Sequence, residues 1–132
     1  MPHETTIKVR FSDLDPYDHV NHARYLSFFE AARIEALDEM GFGMGLMRSQ
    51  GLQIVLVEIG ARFVRPAGLH DLLRIRTVIG EGTRATSLWH QEARLGSGDL
   101  VASLDVRAVF TDLEGRPRRA PDGFVEAAAR FR

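Results

Sequence analysis

The sequence predicts an α+β fold in which an antiparallel sheet of five to six strands wraps around one long helix. Two observations lead to this fold class. One long segment, His22–Met40, carries apolar residues at helical spacing. The later segments alternate apolar and polar residues and are joined by short glycine-containing turns, which is typical of antiparallel strands. With 132 residues and no repeat or linker, the chain is expected to form a single domain, residues 1–132.

The N-terminal part predicts a strand, an acidic loop and then the helix. Thr5–Ser12 alternates between apolar and polar residues. The residues expected on its buried face are Ile7, Val9 and Phe11. Asn21 is expected to cap the helix, because its side chain can accept from free N–H groups of the first turn, and Gly41 is expected to end it. Apolar residues cover more than one stripe of the helix, so we expect other elements to enclose most of it.

Four further segments predict strands, and the tail, Pro121–Arg132, predicts a short helix. The strands are expected at Leu52–Arg65, Asp71–Gly80, Thr83–Leu95 and Leu100–Thr111. A sheet that curls around one helix covers only about half of it. The rest of the helix and the sheet edge need another cover, which indicates a symmetric dimer.

Composition excludes several classes of function. The net charge of -1 gives no electrostatic reason to expect a nucleic acid or an anionic membrane as partner. No apolar run approaches the roughly 20 residues of a membrane span, and the first residues lack the pattern of a secretory signal. The absence of cysteine excludes disulfides and thiol nucleophiles. A cytoplasmic location is therefore expected.

The segment Ser12–Tyr25, SDLDPYDHVNHARY, concentrates the residues that can do chemistry. Its three carboxylates and two histidines lie in a loop that leads directly into the helix. A carboxylate next to a helix N-terminus places a base close to backbone N–H groups that can stabilise an oxyanion. Hydrolysis of an acyl group needs both a base and a donor that stabilises the oxyanion. A zinc site built from His19, His22 and an acid is an alternative interpretation of the same residues.

Two stretches resemble a known family. IKVRFSDLDPYDHVNHARYLSFFEAAR is similar to the N-terminal signature of the hotdog-fold acyl-CoA thioesterases, in particular the 4-hydroxybenzoyl-CoA thioesterase group and its bacterial long-chain acyl-CoA thioesterase relatives. RFVRPAGLHDLLRIRT resembles the strand, proline turn and strand that follow in this family. The resemblance implies a hotdog fold, homodimers or homotetramers with an active site at the subunit interface, and no metal or organic cofactor. The implied reaction splits an acyl-CoA thioester into a carboxylic acid and CoA.

The resemblance also implies roles for individual residues. Asp15 corresponds to the family's catalytic carboxylate, which acts as general base or as nucleophile. The backbone N–H of His22 corresponds to the oxyanion donor. His19 matches a histidine of related thioesterases and is expected to bind the substrate carbonyl or to hold Asp15 in place.

Five further residues are expected to contact substrate or support the site. Tyr17 and Tyr25 are candidates for lining the acyl or pantetheine channel, and Asn21 for capping the helix beside it. Glu58 is a candidate second carboxylate, since its strand faces the partner's active site in this family. Arg65 is a candidate for binding the CoA phosphates, because arginine makes bidentate phosphate contacts.

Three alternative functions remain open from the sequence. The first is hydrolysis of an acyl group carried by acyl carrier protein, and the second is the chemistry of a hotdog dehydratase or hydratase. The third is a protein that binds acyl-CoA without hydrolysing it. The chain length of the acyl group is also open, because the residues that would line its channel cannot be placed from the sequence.

Overall fold

The computed structural model describes residues 1–132 and contains five strands, three α-helices and two short 3₁₀ turns. The strands are β1 (His3–Lys8), β2 (Leu52–Phe63), β3 (Leu72–Ile79), β4 (Thr86–Arg94) and β5 (Leu100–Asp112). The α-helices are α1 (His22–Met40), α2 (Met44–Ser49) and α3 (Phe124–Ala128). The 3₁₀ turns are Phe11–Asp13 and Ala129–Phe131.

All five strands form one antiparallel sheet in the order β1-β3-β4-β5-β2. This arrangement confirms the α+β class. Strands β1 and β2 are the two edges, and β2 pairs only with β5. A bulge interrupts that pairing between Leu56 and Glu58. Because side chains alternate along a strand, the extra residue brings Ile59 onto the same face as Leu56.

Helix α1 and the strand β3 follow the sequence pattern closely. The side chain of Asn21 accepts a hydrogen bond from the N–H of Ala23 at 2.8 Å, and Gly41 ends the helix in the left-handed conformation with φ of 83°. Both predicted caps are therefore confirmed. On β3 the alternate residues are buried beneath α1, as the period of two predicted. These residues are Leu73, Ile75, Thr77 and Ile79.

The first strand ends earlier than the sequence pattern predicts. β1 stops at Lys8, and Phe11 is 79% exposed in a 3₁₀ turn. Asp13 causes this departure, since its buried carboxylate accepts a hydrogen bond from the N–H of Arg10 at 2.9 Å. The chain therefore turns away from the sheet before Phe11 can reach the inner face.

One side of α1 is not covered within this chain. Its apolar residues Leu26 and Ile34 are 40% and 36% exposed, so the expectation that other elements enclose most of the helix is only partly met. The neighbouring edge strand β2 is exposed along its whole length after Ile54. Helix α2 packs against β2 and covers part of this side, and the only strand neighbour of β2 is β5.

A buried polar network attaches α1 to the sheet. Gln91 on β4 donates to the carbonyl of Phe29 at 2.9 Å and to the hydroxyl of Thr77 at 3.0 Å, and it accepts from Arg33 at 2.8 Å. Burial lowers the pKa of the Arg33 guanidinium, while the charge of Glu30 acts in the opposite direction. Gln91 thus connects a side chain and a backbone carbonyl of α1 to the Thr77 hydroxyl of β3.

No helix of the chain has both the length and the apolar character needed to cross a membrane.

Replacing the central residue of this network should destabilise the fold. We expect Gln91→Leu to lower the free energy of unfolding by about 2–4 kcal/mol, because it removes the partner of the buried Arg33 guanidinium and of the buried Thr77 hydroxyl. Urea denaturation measures this change, with the exposed Gln50→Leu as control. Equal stability of the two variants would show that the network contributes nothing to the packing of α1.

Candidate active site

The acidic segment folds into a closed loop in front of α1. The N–H of Asp15 donates to the carbonyl of His19 at 2.7 Å, and Leu14 and Val20 form an antiparallel bridge. Asp18, between them, has a φ of 61°, a left-handed conformation that aspartate and asparagine tolerate better than most residues. The loop therefore has a fixed shape that it owes to local hydrogen bonds.

The Asp15 carboxylate has one oxygen engaged in this loop. Its Oδ1 accepts from the N–H groups of Tyr17 at 2.9 Å and His19 at 3.1 Å. Neither bond involves Oδ2. The two N–H donors fix the orientation of the carboxylate, so that the second oxygen keeps its lone pairs for a water molecule or a substrate.

The N-terminus of α1 offers one free backbone donor next to this carboxylate. The N–H of Ala23 is bound by the side chain of Asn21 and that of Arg24 by the Asn21 carbonyl at 2.9 Å. The N–H of His22 has no acceptor in the chain. At a helix N-terminus such a group carries a partial positive charge that favours an anionic oxygen.

An ion pair between the buried Asp13 and the half-exposed Arg24 lies behind the loop and holds it against the helix. Asp13 is 5% exposed, and its Oδ1 accepts from Nε of Arg24 at 3.1 Å. Its carbonyl also accepts from the N–H of Asn21 at 2.8 Å. Asp13 thus connects the loop to the first turn of α1 and supports the relative position of Asp15 and His22.

An open cleft of about 280 Å³ brings the loop, the helix N-terminus and the end of β2 together. All three residues predicted to be catalytic line it, and so do two of the predicted substrate-binding residues. The lining residues are Asp15, His19, Val20, His22, Tyr25, Phe63, Val64, Arg65 and Pro66. The residues that carry the carboxylate and the free N–H therefore border the same space.

Phe63 is the main residue of the cleft that sequence reasoning missed. Its ring lies 5.6 Å from that of His22 and 5.7 Å from that of Tyr25, centroid to centroid. The signal available in the sequence was the proline turn at Pro66, which indicates that the strand containing Phe63 ends there. Only the sheet order shows which end of β2 meets the start of α1.

Tyr25 is buried in the wall of the cleft, with a hydroxyl that has no hydrogen-bond partner. Burial, together with the negative charge of Asp71, raises the pKa of Tyr25 to about 12. The backbone amide of Ala67 offsets part of this rise, although its geometry falls short of a hydrogen bond. The phenol is therefore a neutral wall residue at physiological pH.

Three of the predicted substrate-binding residues do not line the cleft of this chain. The side chain of Tyr17 is 80% exposed, and only its N–H contacts Asp15. Asn21 serves as the helix cap. Glu58 lies on the opposite face of the sheet, where it pairs with Arg107 at 3.3 Å.

Arg65 does line the cleft and is half exposed. Its Nη1 lies 3.2 Å from Oδ2 of Asp99, so the guanidinium is held at the rim by an exposed ion pair. An exposed pair of this kind is weak, and a phosphate can therefore replace the carboxylate as its partner.

Comparisons with known proteins give a consistent result. The model of the thioesterase-like superfamily matches residues 9–128. The long-chain acyl-CoA thioesterase FadM of Escherichia coli K12 is 35% identical over 121 residues, 91% of each chain. The acyl-CoA thioester hydrolase YbgC of Escherichia coli O6:H1 is 31% identical over 90% of each chain. The crystal structure of a probable thioesterase from Bartonella henselae has a TM-score of 0.87 and 33% identity, covering 92% of this chain and 100% of that one.

The raised pKa of Tyr25 predicts a loss of stability in alkali. A tyrosine of the unfolded chain ionises near its ordinary pKa of 10.0, whereas Tyr25 stays neutral until about 12. Its contribution is complete below pH 10 and is lost as the pH rises to 12, a decrease of about 3 kcal/mol. Urea unfolding at several pH values should show this decrease in the wild type and not in Tyr25→Phe. The same slope in both proteins would contradict the assignment.

Proposed function

Because this chain belongs to the thioesterase-like superfamily, we propose that it hydrolyses acyl-CoA thioesters to a free carboxylic acid and CoA. One observation carries the proposal: a fixed carboxylate with a free oxygen, on Asp15, borders the same cleft as the unpaired N–H of His22. Relatives named as acyl-CoA thioesterase and acyl-CoA thioester hydrolase support it over nine tenths of the chain.

In the proposed reaction the thioester carbonyl lies at the N-terminus of α1. Its oxygen accepts from the N–H of His22, which stabilises the negative charge that develops as the carbonyl carbon becomes tetrahedral. The charge is then held by a backbone dipole that needs no reorganisation during the reaction. Asp13, Arg24 and Asn21 support this geometry, since they bind the loop to the helix.

Asp15 supplies the other half of the chemistry by one of two routes. As general base, its Oδ2 takes a proton from water while the water oxygen bonds to the carbonyl carbon. As nucleophile, Oδ2 itself bonds to that carbon and forms a mixed anhydride, which water then opens. In both routes the C–S bond breaks, the sulfur of CoA leaves with the electron pair and is protonated, and a carboxylic acid is released.

The remaining cleft residues have binding roles in this proposal. The side chain of His19 lies next to Asp15 and is suited to hydrogen-bond the substrate. The weakly paired Arg65 at the rim takes a CoA phosphate. Tyr25 forms an apolar wall of the channel. Glu58 and Tyr17 reach substrate only from a partner subunit or after a loop movement, since both lie outside the cleft of this chain.

We further propose the hotdog arrangement in a single domain, residues 1–132, and assembly as a homodimer or a dimer of dimers. The contacts of α1 with β1 and β3 and its buried face support the first part. The second is supported by β2, an unpaired edge with exposed apolar residues on both faces. Such an edge needs a cover, and a second copy of the chain supplies one. A cytoplasmic location remains a prediction from the sequence.

The catalytic proposal is tested by Asp15→Asn. The amide oxygen of asparagine can still accept the two loop N–H groups, so the variant should fold, but it provides neither a base nor a nucleophile. We expect kcat to fall by at least about 100-fold. The value of kcat is measured from the rate of thiol release with a panel of acyl-CoA and acyl carrier protein thioesters.

The matched control is Asp18→Asn, which makes the same change in the same loop. Asparagine tolerates the left-handed backbone of Asp18, so its activity should stay close to that of the wild type. Equal activity of Asp15→Asn and Asp18→Asn would refute the catalytic role. If thiol is released from acyl carrier protein thioesters and not from acyl-CoA, the substrate is the carrier-protein thioester instead.

The dimer proposal is tested at the edge of β2. Val57, 49% exposed at the bulge, is changed to lysine, and we expect the dimer to dissociate because charge on an edge strand opposes pairing. Light scattering after size exclusion measures the mass. Val125→Lys on α3, at a similar exposure of 55%, is the control. A wild-type monomer, or a Val57→Lys dimer of unchanged stability, would contradict the proposal.

A further inference from the structure

A second cavity lies near the C-terminus of α1, whereas the Asp15 cleft lies at its N-terminus. It has a volume of about 250 Å³ and is bounded by the ends of β3, β4 and β5, by their connection at residues 80–85 and by the C-terminal segment, residues 120–132. Phe124 in its wall packs on Phe42, which closely follows α1. The 19-residue helix α1 is about 28 Å long, and the cavity and the cleft share no lining residue. The two are therefore separate sites.

The inner part of this cavity is apolar. Its buried apolar lining residues are Ile79, Phe110, Phe124 and Ala128. Phe110 and Phe124 form an edge-to-face pair with 4.9 Å between their ring centroids. A further aromatic ring packs favourably on such a pair at centroid distances of roughly 4.5–7 Å. Because an apolar cavity of roughly 150 Å³ admits one benzene ring, this cavity has room for a ring with a small substituent.

Ser87 is the one buried polar side chain among the residues that line the cavity. It is 3% exposed and lies on the inner face of β4, where it pairs with the buried Ala108 of β5. Its hydroxyl forms no hydrogen bond within the chain, and its oxygen is reached from the cavity. A buried hydroxyl without a partner is unfavourable. Its position therefore points to a polar group supplied by a bound molecule.

Water alone satisfies this cavity poorly. At roughly 30 Å³ per molecule about eight waters would fill it, and each needs about two to four polar partners. The buried lining residues offer only one side-chain hydroxyl, that of Ser87. The polar lining residues Glu81, Thr83 and Arg132 are exposed and lie at the mouth. A mainly apolar ligand therefore suits the inner part better than water.

The two charges at the mouth neutralise each other. Nη1 of Arg132, from the C-terminal segment, lies 3.5 Å from Oε1 of Glu81, from the connection between β3 and β4. The buried lining residues are all uncharged. An ionised group would lose its hydration in the inner part without gaining a counter-charge there. The cavity therefore favours an uncharged ligand.

We propose that this cavity is a binding site for a small, uncharged aromatic molecule that carries one hydroxyl group. The ring packs on Phe110 and Phe124, and the hydroxyl of the ligand hydrogen-bonds to that of Ser87. The inference is independent of the proposed acyl-CoA hydrolysis, because it uses no residue of the Asp15 cleft.

Titration with three probes of similar size tests the site. Benzyl alcohol has the ring and the hydroxyl, toluene lacks the hydroxyl, and benzoate carries a charge. Amide NMR spectra give the dissociation constant and the location together, since Gly80 and Gly82 line the cavity and His19 and Val20 line the cleft. We expect saturable shifts at Gly80 and Gly82 with benzyl alcohol and toluene. Benzoate should bind at least about tenfold more weakly than benzyl alcohol.

A conservative variant tests the polar contact. Ser87→Ala removes only a hydroxyl that has no partner in the chain, so the variant should fold. We expect its affinity for benzyl alcohol to fall roughly three- to tenfold, the effect of one net hydrogen bond, while its affinity for toluene stays within about twofold.

A second variant closes the mouth. Val125 is 55% exposed and lines the cavity, so Val125→Trp adds bulk there without overpacking the core. We expect the affinity for both neutral probes to fall at least about tenfold. The control is Leu113→Trp, at a similar exposure of 49% and outside the cavity, which should leave both affinities unchanged.

Three results would overturn the inference. Shifts confined to His19 and Val20 would place the probes in the Asp15 cleft. The absence of a saturable shift with any probe would show that the cavity holds water only. An equal loss of affinity for benzyl alcohol and toluene in Ser87→Ala would show that the Ser87 hydroxyl does not bind the ligand.

Discussion

The packing of helix α1 on the inner face of the sheet is the constraint on which the candidate site depends. Apolar residues supply most of this contact, but they do not by themselves fix the position of the helix along its axis. Gln91 does so, because its hydrogen bonds to Arg33 and to the carbonyl of Phe29 are directional and buried. The N-terminus of α1 is thereby held at the end of β2, where Phe63 closes the cleft.

Asp15 combines a structural role with a chemical one, and the two do not compete. One carboxylate oxygen closes the loop by accepting from Tyr17 and His19, and the other remains free for substrate. The loop bonds reduce the rotational freedom of the side chain before substrate arrives. Such preorganisation is a recognised source of catalytic rate, since the entropy of positioning is lost on folding rather than in the reaction.

The uncovered side of α1 and the exposed edge of β2 are two consequences of one topology. Because β2 precedes β3 in the chain but pairs only with β5, it lies at the edge of the sheet, where Phe63 packs on the start of α1. An unpaired apolar edge is a liability for a monomer. In the proposed dimer the partner covers this edge.

The sequence by itself determined the local features, because they depend on neighbours a few residues apart. It predicted the caps Asn21 and Gly41, the length of α1, the alternation of the strands and the acidic loop with Asp15. The tertiary structure decided what depends on long-range pairing. The register of β2 on β5, with its bulge, places Glu58 outside and Phe63 in the cleft. A bulge shifts every later residue to the other face, and no local pattern reveals which strand will be the partner.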